Sequence, residues 1–104
     1  DGETSLLENL VALQLLRTYG KENVSYYNST NEIDFVVAEA KIAIQVCYKA
    51  DNEGTLKREI TPLITFGKKH PDWQLLIISY DEERQIEKDS IKIDMIPAWR
   101  WLMG

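Results

Sequence analysis

Two adjacent apolar runs between residues 32 and 49 constrain the fold of this chain more than any other feature. The runs at residues 33–38 and 41–48 are rich in Val, Ile, Phe and Tyr, which are residues preferred in strands. Only Glu39 and Ala40 separate the two runs, so the sequence predicts two strands joined by a tight turn.

Alternation along these strands brings polar side chains together. Successive side chains of a strand point to opposite faces, so Asp34 stands in an otherwise apolar strand opposite a short polar row in its neighbour. That row consists of Gln45, Cys47 and Lys49. The same alternation groups Ile33 with Phe35 and Val37, and Ile42 with Ile44, Val46 and Tyr48. A buried polar cluster costs free energy unless it is paired or binds a ligand, so this is the first candidate site.

The rest of the chain predicts helices on both sides of these strands. A helix is expected over residues 5–19, starting with a Ser5–Glu8 capping box and covered over most of its apolar circumference. The other expected elements are a strand at 24–27, a helix at 55–69, a strand at 73–80, an acidic loop at 81–90 with a short strand at 85–87, an edge strand at 91–96 and a short final helix after Pro97. The predicted fold is a single α/β domain over residues 1–104, with a mixed central sheet flanked by helices.

Composition and charge exclude several classes of protein. No apolar run approaches the roughly 20 residues that a membrane-spanning helix needs. A single cysteine excludes an internal disulfide and a cysteine-based zinc site, and it favours a reducing, cytoplasmic location. The net charge of −5 argues against a protein that coats nucleic acid without sequence preference.

The polar residues resemble a known nuclease pattern. Asp34 on one strand, followed by Gln45-x-Cys47 on the next, resembles the PD-(D/E)XK fold, with its α-β-β-β-α-β core. Glu8 matches the glutamate that the first helix of that fold often supplies, and Cys47 occupies the position of its lysine. The resemblance implies Mg²⁺ as the cofactor, with carboxylates holding the metal and the lysine orienting the attacking water.

Five short segments narrow the resemblance. They are residues 8–11, 32–37, 44–48, 58–60 and 96–102. Together they are similar to an uncharacterised C-terminal domain that follows an AAA-type ATP-binding module in bacterial and archaeal proteins. The resemblance implies that the chain is the C-terminal part of a larger ATPase. ATP would bind in the preceding module, and that module would be a partner of this domain.

Each candidate residue has a functional and a purely structural interpretation. The resemblance assigns Glu8, Asp34 and Gln45 to the metal, with Lys49 as a substitute for the absent lysine. Glu8 could instead serve only as a helix cap, and Gln45 as a hydrogen-bonded core amide. Cys47 is expected to be a small buried apolar residue. Arg58 and Glu59 are adjacent and cannot share a helix face, so one of them is expected to face inward.

Three functions remain open to such a domain. The preferred hypothesis is a degenerate nuclease-fold accessory domain that recognises nucleic acid or a protein partner without cleaving it. The second is a structural or dimerising cap on the ATPase, with the tryptophan-rich end as its interface. The third is a working Mg²⁺-dependent nuclease acting on DNA or RNA.

Overall fold

A six-stranded mixed sheet, covered by a helix on each face, forms the centre of the protein. The computed structural model describes residues 2–27 and 33–104. In chain order the elements are α1 (Gly2–Tyr19), β1 (Ser25–Tyr27), β2 (Ile33–Val37), β3 (Ile42–Val46), α2 (Glu53–Lys69), β4 (Gln74–Ser79), β5 (Arg84–Lys88), β6 (Ile91–Pro97) and α3 (Ala98–Met103). The predicted α/β class, with a mixed sheet flanked by helices, is confirmed.

The strands lie in the order β1-β2-β3-β4-β6-β5. The central pairs β3–β4 and β4–β6 are parallel, and the outer pairs are antiparallel. The prediction that residues 91–96 form an edge strand is wrong, because β5 covers β6 on its outer side. The sequence of β5, Arg-Gln-Ile-Glu-Lys, carries the charged side chains that keep an exposed edge from pairing with other chains.

Helix α1 begins earlier and is less covered than the sequence predicts. It starts at Gly2, so Ser5 lies inside the helix and the predicted capping box is wrong. Only one face packs on the sheet, through the side chains of Leu7, Val11 and Leu15. Its outward leucines remain exposed; they are Leu6, Leu10, Leu13 and Leu16. No helix within residues 2–27 and 33–104 is long and apolar enough to cross a membrane.

Helix α2 covers the opposite face of the sheet. The Asn52 side chain caps its start by accepting a hydrogen bond from the Thr55 backbone N–H at 2.9 Å. Its buried side chains include Ile60, Leu63 and Phe66. Gly67 lies where the helix approaches β4 closely, since a Cβ atom there would stand 2.8 Å from Leu75 Cδ1.

The predicted pair of β2 and β3 is antiparallel, with a turn slightly different from the one expected. A 3₁₀ turn at Ala38–Ala40 joins the strands, and Lys41 adopts a left-handed conformation with φ 55°. Phe35 and Val37 face α1 as alternation predicts, but Ile33 packs in the cluster on the α2 side. The strand therefore departs from simple alternation at its first residue, next to a register shift in its pairing with β1.

Candidate functional site

Asp34 and Gln45 meet where β2 and β3 separate. The Asp34 backbone N–H donates to Gln45 Oε1 at 2.9 Å, and the Val46 N–H donates to Asp34 Oδ2 at 2.8 Å. Each side chain thus accepts a bond from the backbone of the neighbouring strand, beyond the regular pair of Phe35 with Ile44. The two predicted site residues are therefore brought together, and each is tied to the neighbouring strand by a hydrogen bond.

Gln45 also connects this junction to α2. Its side chain is buried, with 5% of its surface exposed, and its Nε2 donates to the Glu59 carbonyl oxygen at 3.3 Å. Both ends of the amide are therefore hydrogen-bonded, one to β2 and one to α2. The structural interpretation of Gln45, a core amide bonded across the sheet, is confirmed.

The Glu59 carboxylate also belongs to this site, and of the adjacent pair it is Glu59 that faces inward while Arg58 is exposed. Burial raises the pKa of Glu59 to about 7, and the negative charges of Asp34 and Glu8 add to the effect while Arg58 opposes it. A signal for it exists in the sequence. Glu59 follows Leu56 by three residues and precedes Leu63 by four, which places it on the apolar face of α2.

Glu8 supplies a third carboxylate, from α1. It is half-buried in the second turn of the helix, so it is not a cap. Burial is the main cause that raises its pKa, followed by the charge of Asp34. Three carboxylates from α1, β2 and α2 therefore lie within electrostatic reach of one another, at positions 8, 34 and 59. Such shifts mark a candidate functional site.

An open cleft of about 630 Å³ lies beside this cluster. Its lining includes Cys47, Lys49, Arg58 and Glu59. Lys49 and Arg58 are exposed, whereas Cys47 is buried. Burial raises the pKa of the Cys47 thiol to about 11, and the Glu59 charge adds to that effect, so the thiol stays protonated at neutral pH. Cys47 therefore brings neither positive charge nor a thiolate to the cleft.

Two of the oxygens that the resemblance assigns to a Mg²⁺ ion already accept hydrogen bonds from the backbone. Mg²⁺ requires near-octahedral oxygen coordination. Asp34 Oδ2 and Gln45 Oε1 both accept backbone N–H groups. Within residues 2–27 and 33–104, no three His, Cys, Asp or Glu side chains are grouped closely enough to hold a metal. The assignment of Glu8, Asp34 and Gln45 to a metal stays a prediction.

Glu59→Gln is expected to stabilise the domain at pH 8 and to leave its stability unchanged at pH 4.5. The pKa of this carboxyl rises on folding, from its ordinary value of 4.5 to about 7. The native state therefore holds the proton more tightly, and stability falls as the pH rises from 4.5 to 7. The Gln variant lacks this penalty. Since Glu59 is partly exposed to screening solvent, we expect a gain of about 1–2 kcal/mol in the free energy of unfolding.

Urea unfolding at several pH values measures this effect. Glu39→Gln, which changes an exposed carboxylate in the β2–β3 turn, is the matched control and should shift stability by less than about 0.5 kcal/mol. A Glu59→Gln variant no more stable than the parent at pH 8 would contradict the burial of an unfavourable carboxylate charge at this position.

Comparisons with known proteins identify one family. The family model described as a domain of unknown function, DUF4143, matches residues 3–101. No curated protein and no solved structure matches the chain.

Proposed function

Because the chain belongs to the DUF4143 family, a domain commonly found in AAA-type ATPase proteins, we propose that it is the accessory recognition domain of such an ATPase. In this proposal the domain has a PD-(D/E)XK-like fold whose catalytic site has lost its activity. The preceding ATPase module binds ATP, and this domain selects what that module acts on. The order helix, three strands, helix, strand in α1 to β4 supports the fold assignment.

The main support for a loss of catalytic activity is the state of the Cys47 side chain. The nuclease pattern requires a lysine there to orient and deprotonate water. Cys47 is buried and its pKa is about 11, so it offers no positive charge and no base at neutral pH. Lys49, the proposed substitute, is an exposed residue of the cleft lining. Gln45 supports the same conclusion, since its amide braces two backbone segments.

Charge in the cleft favours a protein partner over nucleic acid. Its charged lining residues are Glu3, Asp51, Glu59, Lys49 and Arg58. Three carboxylates against two cations give no excess positive charge, and the whole chain has a net charge of −5. A phosphate backbone is bound through clustered Lys and Arg. A basic segment of a protein therefore suits this cleft better than a nucleic acid strand does.

A Mg²⁺-dependent nuclease is the second candidate. The observation in its favour is the convergence of Glu8, Asp34 and Glu59 from three separate elements. A carboxylate with a pKa of about 7 is also matched to general base catalysis at neutral pH. In this alternative Glu59 would accept a proton from the attacking water, which is the role of the lysine in the nuclease pattern.

Metal titration and cleavage assays separate the two candidates. We expect no saturable Mg²⁺ or Mn²⁺ binding at millimolar metal by NMR, and no cleavage of DNA or RNA. Asp34→Asn is the diagnostic variant, because it removes the charge and keeps an oxygen that accepts the Val46 N–H. Asp51→Ala, in the same cleft, is the control. Metal-dependent cleavage lost in Asp34→Asn and kept in Asp51→Ala would replace the proposal with the nuclease.

A further inference from the structure

Helix α1 has a second apolar face that the fold leaves uncovered. Leu6, Leu10 and Leu13 form an outer stripe, and their exposed fractions are 71%, 44% and 53%. At about 100° per residue, the three side chains lie within about 60° of arc. Their spacing of four and then three residues is that of a coiled-coil seam. The inner face of the helix, with Leu7, Val11 and Leu15, is already packed against the sheet.

Opposite charges stand at the two ends of the outer stripe. Glu3 lies seven residues before Leu10, and Arg17 lies seven residues after it. Two heptad steps drift by only ~20° each, so both charges lie in line with the leucines. Both residues are exposed, and neither forms a salt bridge with any residue that the structure describes. The Glu3 carboxylate does neighbour the Tyr48 hydroxyl, whose pKa is raised mainly by burial and then by the charge of Glu3.

We propose that the outer stripe binds the outer stripe of a second copy of this chain, in an antiparallel arrangement about a two-fold axis. Leu10 then packs near Leu10 of the second copy, and Leu6 packs near its Leu13. Glu3 of each copy pairs with Arg17 of the other. A two-fold interface uses the same surface twice, so it must be self-complementary, and this pattern meets that requirement.

The charge pattern selects this occupant and this direction. A parallel pair of α1 helices would place Glu3 against Glu3 and Arg17 against Arg17, which is repulsive. An antiparallel pair places opposite charges together at both ends. The apolar surface also continues beyond the helix, because Leu6 and Leu10 share a groove of about 760 Å³ with Trp99 of α3, which is 59% exposed. The inference does not rest on the function proposed above, although Glu3 also lines the cleft beside Glu59.

Two charge variants test the pairing of Glu3 with Arg17, because their dimerisation can be measured for each variant alone and for a mixture of the two. Glu3→Arg leaves two positive ends on each stripe, and Arg17→Glu leaves two negative ends. By sedimentation equilibrium we expect the parent to dimerise, and each variant alone to dimerise at least tenfold more weakly. An equimolar mixture should recover the parent affinity within about threefold, because each positive end then meets a negative one. Lys21→Glu makes the same charge change as Arg17→Glu outside the stripe and should have no effect.

Three results would overturn the proposal. The first is a parent protein that stays monomeric up to millimolar concentration. The second is a dimer that persists when Leu10→Glu interrupts the stripe, since the interface would then lie elsewhere. The third is a mixture of the charge variants that dimerises no better than either alone. Far-ultraviolet circular dichroism of each variant shows whether α1 is still folded, and only folded variants enter the comparison.

Discussion

Gln45→Leu is expected to lower the free energy of unfolding by about 2–3 kcal/mol, although leucine is close to glutamine in size. The variant loses the acceptor of the Asp34 N–H and the donor to the Glu59 carbonyl. Most of this loss comes from the Asp34 N–H, because a partly buried donor that loses its acceptor keeps much of its desolvation penalty. The Glu59 carbonyl lies inside α2, where helix bonding lessens its loss.

Urea unfolding of Gln45→Leu beside Gln74→Leu isolates the buried contribution. Gln74 is exposed at the start of β4, so its replacement should change stability by less than about 0.5 kcal/mol. Equal stabilities for the two variants would mean that the hydrogen bonds of the Gln45 amide do not contribute to the stability of the fold. A loss confined to Gln45→Leu would establish that the junction of β2, β3 and α2 depends on this side chain.

The sequence predicts the Asp34–Gln45 pair because a strand has only two faces. Once the two strands and their turn are recognised, alternation alone places one polar position opposite another. For α2, adjacency predicts only that one of Arg58 and Glu59 faces inward, and it does not say which of the two. The apolar residues three before and four after Glu59 contain the missing information. Position on a helix face, more than residue type, identifies the third carboxylate.

The uncovered face of α1 marks the limit of what the sequence predicts about burial. Leucines occur nearly all round this helix, and the pattern alone predicts that most of them are covered. A sheet can cover only one side of a helix, so Leu7 and Val11 are buried while Leu6 and Leu13 are not. Whether another surface covers the exposed leucines depends on contacts with other molecules or domains. The periodicity of the sequence contains no information about such contacts.

The sequence also does not predict which of the last two strands forms the edge of the sheet. Alternation in residues 91–96 is equally typical of an edge strand and of a strand with one neighbour on each side. The deciding fact is that the charged segment Arg84–Lys88 folds back as β5 and takes the edge. That segment has little apolar pattern of its own, so its pairing with β6 is decided by the connection between them, which includes Asp89 and Ser90 at positive φ.

The thiol of Cys47 is expected to react with iodoacetamide at pH 8 at least about 100-fold more slowly in the folded chain than in the unfolded chain. Only the thiolate reacts, and raising the pKa from 9.0 to about 11 lowers the thiolate fraction about 100-fold at this pH. Burial slows the reaction further, since only 5% of the residue surface is exposed. The chain has one cysteine, so mass spectrometry of the alkylated protein reports this position alone.

Ser5→Cys in a Cys47→Ala background supplies the control, because position 5 is exposed on α1 and should react as fast folded as unfolded. A folded Cys47 that reacts within tenfold of the unfolded rate would mean an accessible, acidic thiol in the cleft. Such a thiol could serve as a nucleophile, and the silent site proposed for this position would have to be replaced by a reactive one. Slow reaction instead leaves no reactive group at the position where the nuclease pattern needs its lysine, and that lack is the chemical basis of the proposal that the domain binds without cleaving.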